Sequence, residues 1–272
     1  MARLDLRRID LTDVQGVRWA PADATGVGAL VLAGSSGRVD SARAELLARH
    51  GVVAEAFRWF GGPGQHEGPW EIPLESFVRR IDELSRDCDR IVLLGTSLGS
   101  EAALLTGALD ARVDTVVAFA PSDTVWAGVR KDGTMTSHWS LDGVPLPFVP
   151  FDDAWRAESD LPAFELYDAS RRRFPDLVHA AAIPVERVRD VVLVAGGDDQ
   201  VRPSLSMAGQ IVDRREALGL STTFVSDPEA GHRTILPGEP VVVGGVRMRR
   251  GGNEEADSRL GRAAWSTIVE ML

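Results

Sequence analysis

The chain of 272 residues carries 30 basic and 40 acidic side chains, a formal net charge of −10, and that excess of acid excludes a surface built to hold nucleic acid. Apolar content of 44% leaves room for one large α/β domain, and a single cysteine, Cys88, excludes an internal disulfide and a cysteine-built zinc site. The opening "MARLDLRRIDLTDV" lacks the apolar stretch of a secretory signal, and no apolar run is long enough to span a bilayer, so a cytoplasmic protein without membrane contact is expected.

In chain order, "GALVLAG" (Gly28 to Gly34) reads as a buried strand and "SARAELLARHG" as a helix closed by Gly51. "VVAEAFRWF" (Val52 to Phe60) is the next strand, followed by a Gly/Pro loop and a helix near Pro73 to Ser85. "RIVLLG" then predicts a strand and "SEAALLTGALD" a helix, with "TVVAFAP" (Thr115 to Pro121) and "DVVLVAGG" (Asp190 to Gly197) as further strands. "PSLSMAGQIVDRREALG" reads as helix, "TTFVSD" as the last strand and Asp257 to Leu272 as a closing helix. Strands that are apolar throughout and alternate with helices imply an α/β fold with a mostly parallel central sheet covered on both faces. Residues 122–188 break the rhythm, being rich in Trp, Pro, Asp and Arg without periodicity, and read as an inserted cap or lid on a single domain, with a plain surface excursion as the other reading.

The stretch "GTSLGSEAALL" carries the chemistry. Gly95 and Gly99 stand two residues either side of Ser97, where strand passes to helix. A serine held on so tight a turn brings its i−2 and i+2 neighbours too close to bear side chains, so Gly-x-Ser-x-Gly is the steric signature of a nucleophile elbow.

Of five histidines, His50 sits at a helix end, where the dipole explains it, and His138 and His179 lie in the insertion. His66, in "FGGPGQHEGPW", follows a strand's C-terminal end and is a candidate for substrate contact. His232, in "SDPEAGHRTILP", follows the last strand and is the expected base. "VAGGDDQVRPS" supplies the acid. Asp199 is expected to orient His232, with Asp198 serving the loop's backbone N–H groups. The chain order Ser97, Asp199, His232 is that of an α/β-hydrolase. The oxyanion is assigned to the backbone N–H groups of Leu98 and of Ser35, in "AGSSG". No Gly-Lys-Ser/Thr follows that loop, which argues against a nucleotide site, and the assembled chemistry calls for no cofactor or metal.

The blocks "ARAELLARHGVVAEAFRWFGG", "IPLESF" and "GTSLGSEAALL", then "IPVERVRDVVLVAGGDDQVRPS" and "DPEAGH", resemble the C-terminal catalytic domain of acyl-CoA thioesterases and bile acid-CoA:amino acid N-acyltransferases. The resemblance runs from about Gly28 to the C-terminus. It implies a Ser97–Asp199–His232 enzyme acting on acyl thioesters, with coenzyme A as a candidate carrier. Leu98 and Ser100 stand where that family often has lysine and alanine. Its transferase members carry cysteine at the elbow, and serine at position 97 shifts the expected acceptor from an amine toward water.

The expected function is therefore hydrolysis of a small-molecule acyl thioester through a Ser97 acyl-enzyme. Acyl transfer to an amine or alcohol, carboxylester hydrolysis and a non-catalytic binding module are the alternatives, and the oligomeric state is open. Within the insertion, Trp126, Trp139, Phe148 and Trp155 are the expected lining of an acyl pocket. Arg171 to Arg173 are read either as contacts to a carrier's phosphates or as a solvated run.

Overall fold

Each strand that reads as apolar throughout is buried on both faces of one eight-stranded sheet in the computed structural model, which describes residues 5–154, 163–241 and 248–272. An antiparallel hairpin, β1 (Leu6–Asp10) and β2 (Gly16–Pro21), forms one edge. Then come β3 (Val27–Leu32), α1 (Ser41–Ala48), β4 (Val53–Phe57), a two-residue strand β5 (Ile72–Pro73) and α2 (Glu75–Leu84). The elbow region supplies β6 (Arg90–Thr96), α3 (Leu98–Leu109) and β7 (Val113–Phe119). The insertion holds β8 (Ala127–Val129), β9 (Met135–Ser137), β10 (Trp139–Leu141), β11 (Val144–Pro145), α4 (Phe164–Arg173) and α5 (Pro175–Ala180). The chain closes with β12 (Asp190–Gly196), α6 (Ser204–Glu216), β13 (Thr223–Asp227) and α7 (Glu254–Glu270).

Strand order is β1-β2-β4-β3-β6-β7-β12-β13, antiparallel through β2–β4 and parallel from there to β13. Alternation along β6 divides the core between the two faces. Ile91 and Leu93 pack with α2, α3 and α6, whereas Val92 and Leu94 pack with α1 and α7. Because the parallel strands run in one direction, the loops after β3, β6, β12 and β13 all emerge on one sheet edge, the edge that binds ligands in open α/β sheets.

The insertion is built of very short elements joined to distant chain. β10 pairs in parallel with β5 and antiparallel with β11, and β8 pairs with β9. Trp126, Trp139, Val149, Ile183 and Val185 are buried in the same apolar cluster as α2 and α3, so this segment shares the main core. Its return to the sheet is clamped by Arg215. That buried guanidinium donates to the carbonyls of Val185 (2.5 Å), Val188 (2.7 Å), Arg189 (3.1 Å) and Ser221 (2.9 Å).

Candidate active site

Ser97 has φ +58° and ψ −119°, a strained combination for a residue with a side chain. It is held there by its N–H, which donates to the Phe119 carbonyl (2.8 Å), and by its own carbonyl, which accepts from the Ser100 N–H (2.9 Å) and hydroxyl (2.6 Å). The two glycines are a packing requirement. A Cβ on Gly95 would lie 2.1 Å from the Gly99 carbonyl oxygen, and one on Gly99 would lie 2.4 Å from that of Ala33.

Three side chains far apart in sequence meet at this turn. Ser97 Oγ lies 3.0 Å from His232 Nε2, and His232 Nδ1 lies 2.8 Å and 3.0 Å from the Asp199 carboxylate oxygens. A carboxylate only accepts, so Nδ1 carries the imidazole proton and Nε2 offers its lone pair to the Ser97 hydroxyl. All three are nearly buried, and Ser97 and His232 line a cleft. Asp199 also accepts from the N–H groups of Val201 (2.9 Å) and Arg202 (3.1 Å) and from the Ser204 hydroxyl (2.6 Å). Burial pushes its carboxyl up, but His232, Ser204 and Val201 outweigh that and hold it below the ordinary aspartate range.

The loops carrying acid and histidine are laced together. Asp198 N–H donates to the Ala230 carbonyl (2.9 Å), His232 N–H to that of Arg250 (2.9 Å), and Gly231 N–H to Asp257 Oδ1 (2.8 Å). Asp198 accepts from the Gly252 N–H (2.7 Å) and the Gln200 side-chain amide (2.9 Å), and does not reach the histidine. Ser35 lines the cleft beside Ser97 and His232, and Leu98 is the first residue of α3, whose opening N–H groups have no carbonyl one turn earlier.

Other expected contacts lie elsewhere. Trp126 and Trp139 are fully buried and do not line the cleft at Ser97. Trp126 stacks on Phe151 (5.7 Å between centroids) and donates its indole N–H to the Ser122 hydroxyl (3.0 Å), while Trp139 donates to Glu101 Oε2 (3.2 Å). Phe148 is partly buried against the same core, and Trp155 falls outside the described residues. His66 is half-buried in the loop after β4, its carbonyl accepting from the Gly61 N–H, and is likewise absent from the cleft lining. In the arginine run, Arg171 forms a two-pronged bond to Asp123 (2.7 and 3.0 Å) and Arg173 pairs with Asp152 (2.5 Å).

Behind the site lies a buried charge pair that sequence reasoning missed. Glu101, one turn into α3 from Ser97, is 3.3 Å from Arg202, and His138 stands 3.8 Å from its other oxygen, beyond hydrogen-bonding reach. Burial opposes ionisation of Glu101, but His138, Arg202 and the Trp139 indole outweigh it and keep the carboxyl below its usual range. Arg202 lies over the Tyr167 ring of α4 at 5.6 Å, so one guanidinium ties the elbow helix, the acid loop and the insertion together. The only sequence signal was a glutamate inside an otherwise apolar helix.

The family model described as BAAT / Acyl-CoA thioester hydrolase C terminal matches residues 76–272. Among solved structures, one assigned as a dienelactone hydrolase from Klebsiella pneumoniae is similar at 13% identity, covering 98% of each chain with a TM-score of 0.57. The esterase domain of a Rhodothermus marinus protein is similar at 14% identity, covering 98% of this chain and 99% of that one with a TM-score of 0.51. One assigned as an esterase from Staphylococcus aureus is 12% identical, covering 98% and 84% with a TM-score of 0.53. At such identities the likeness is one of fold. No curated protein sequence matches this chain. Among the described residues no helix is long and apolar enough to cross a membrane.

Proposed function

Because the chain belongs to the BAAT / acyl-CoA thioester hydrolase C-terminal family, we propose that it cleaves acyl thioesters, with Ser97 as nucleophile and a coenzyme A-like thiol as leaving group. The family and the fold are those of hydrolases acting on acyl esters or thioesters. The observation that carries the finer reading is the chain of hydrogen bonds from Ser97 Oγ through His232 to Asp199, at 3.0 and 2.8 Å.

In this mechanism His232 Nε2 takes the Ser97 proton as Oγ adds to the acyl carbonyl, and Asp199 stabilises the imidazolium that results. The negative oxygen of the tetrahedral intermediate is received by the N–H groups of Leu98 and Ser35. Collapse expels the thiolate, which takes the proton from His232, leaving an acyl ester on Ser97. Water, deprotonated by the same nitrogen, then adds to that ester, and collapse returns the proton from His232 to Ser97 Oγ as the acid leaves. An oxygen ester reacts less readily with amines than a thioester does, so water is the acceptor. The chain acts as one domain, with residues 122–154 and 163–188 as a cap docked on the α2/α3 face.

The test is turnover of acyl-CoA, acyl-pantetheine and simple ester substrates by native protein, Ser97→Ala and His232→Ala. Each variant is expected to lower kcat by roughly 10⁴–10⁶-fold, and the double variant by little more, because the groups act as a unit. Near-native turnover by either variant overturns the mechanism. An amide as main product with glycine or taurine present replaces hydrolysis by acyl transfer.

A further inference from the structure

The segment that follows His232 does more than carry the base. Between β13 and α7, residues 233–241 run along the cleft at Ser97 and form one of its walls. Two anchors fix this wall. Leu236 is buried in the apolar core shared by the sheet, α1 and α7. Glu239 is gripped by the buried Arg43 guanidinium of α1, at 2.6 and 3.0 Å. A carboxylate held by two parallel N–H groups is fixed in orientation as well as distance. The same guanidinium donates to the Thr234 carbonyl (3.2 Å) and to Thr96 Oγ1 (3.0 Å). Thr96 immediately precedes Ser97, so Arg43 sets the distance of the wall from the nucleophile.

Beside these anchors the cleft is bordered by apolar side chains. Ile235, Pro240 and Val241 line it from the wall, Met248 from the chain before α7, and Ala42 from the first turn of α1. Ile235, Val241 and Met248 lie outside both apolar cores of the described residues, and Val241 is 42% exposed. Apolar side chains left partly exposed beside a nucleophile favour an apolar group that displaces water from them. The cleft encloses about 140 Å³, and a cavity of roughly 150 Å³ takes a six-carbon ring. A coenzyme A-like carrier is polar and far larger than that, which leaves the apolar border to the acyl group. We propose that Ala42, Ile235, Pro240, Val241 and Met248 form the acyl site, and that the substrates are thioesters of short apolar acids, up to about six carbons long. The proposal rests on the hydrolase reading above and names the acyl class for that same site. A second cavity, of about 200 Å³, lies between α3 and the insertion and is lined by Leu105, Val125 and Leu146. It shares no lining residue with the cleft, and Leu105 stands about 12 Å down α3 from Ser97.

The test is kcat/KM for straight-chain acyl-N-acetylcysteamine thioesters from acetyl to decanoyl. It is expected to rise about threefold per added methylene as far as hexanoyl, and then to level or fall. Val241→Ala and Met248→Ala are each expected to lower the hexanoyl-to-acetyl ratio by about threefold through lost contact, and Ala42→Leu by about tenfold through lost volume. Leu146→Ala, on the second cavity, should leave the ratio as it is. A ratio taken within one variant cancels any loss of folded protein, and Val241 is exposed enough that its truncation spares the core. Calorimetric titration with straight-chain carboxylates from acetate to decanoate reads the site without turnover. Affinity is expected to follow the same dependence on length, with hexanoate bound about threefold more weakly by Val241→Ala. That pattern in a protein that cleaves no thioester keeps the acyl site and removes the hydrolase reading alone. A ratio unmoved by all three cleft variants, a rise that continues undiminished to decanoyl, a ratio that moves with Leu146→Ala, or carboxylate affinity that ignores chain length overturns the proposal.

Discussion

Substituting Gly99→Ala probes the link between elbow and oxyanion loop most sharply. The added Cβ would sit 2.4 Å from the Ala33 carbonyl oxygen and 2.5 Å from that of Leu32. Ordinary contact is near 3.4 Å, so about 1 Å must open between α3 and the end of β3, and both obstructing atoms are buried backbone, one in the last residue of β3 and one in the residue after it. Overpacking of this kind costs about 1–3 kcal/mol. Ser35 lies two residues beyond Ala33, so the same movement draws the proposed oxyanion donor from the Ser97 turn, and a misplacement of about 1 Å is expected to lower kcat by roughly 100-fold. The assays are guanidinium denaturation and hydrolysis of a small neutral ester. Gly209→Ala on α6, where a Cβ meets nothing within 4 Å, is the control and should stabilise by about 0.5–1 kcal/mol. Gly99→Ala with native stability and kcat would refute the steric account of the elbow.

Asp199→Asn is expected to lower kcat by roughly 10³–10⁴-fold by disturbing the His232 tautomer, and Asp198→Asn by less than about tenfold; the reverse order in kcat measurements would move the acid by one residue. Trp139→Ala should lower stability by about 3–5 kcal/mol, since it empties a buried site and removes a donor from Glu101. A shift in the ratio of long-chain to short-chain kcat/KM at unchanged stability would contradict that placement. The Asp199 carboxyl lies below its unfolded value, so its contribution to stability is full above about pH 4 and is lost as pH falls through the folded value. Denaturation midpoints below pH 4 should therefore fall more steeply for native protein than for Asp199→Asn, and equal slopes would contradict the assignment.

What could be read from the sequence followed from local physics. The steric demand of the elbow forces glycine at positions 95 and 99, and strands buried on both faces must be largely apolar, so β3, β4, β6, β7 and β12 stand out. Asp199 was singled out because it follows such a strand, and His232 because it follows the last strand, β13. The hairpin β1–β2 left no comparable signal, because β1 is an edge strand of mostly charged residues. The insertion was opaque for a different reason. Strands of two or three residues, such as β5 and β10, are too short to show a period, and their pairing spans more than 60 residues. A tryptophan there reads equally as pocket or core. Burial and an indole bond to Glu101 place Trp139 in the core. Ser204 on Asp199 and the Arg202–Glu101 pair were invisible because their roles arise only when α3, α4 and the acid loop are brought together.

The central claim, that Ser97 is a nucleophile activated through His232, is tested most directly by the mass of the intact protein after brief exposure to a fluorophosphonate. The account predicts a single adduct that maps to Ser97, forms far more slowly in His232→Ala and is absent in Ser97→Ala. An unlabelled native protein, or an adduct that persists in Ser97→Ala, would contradict it.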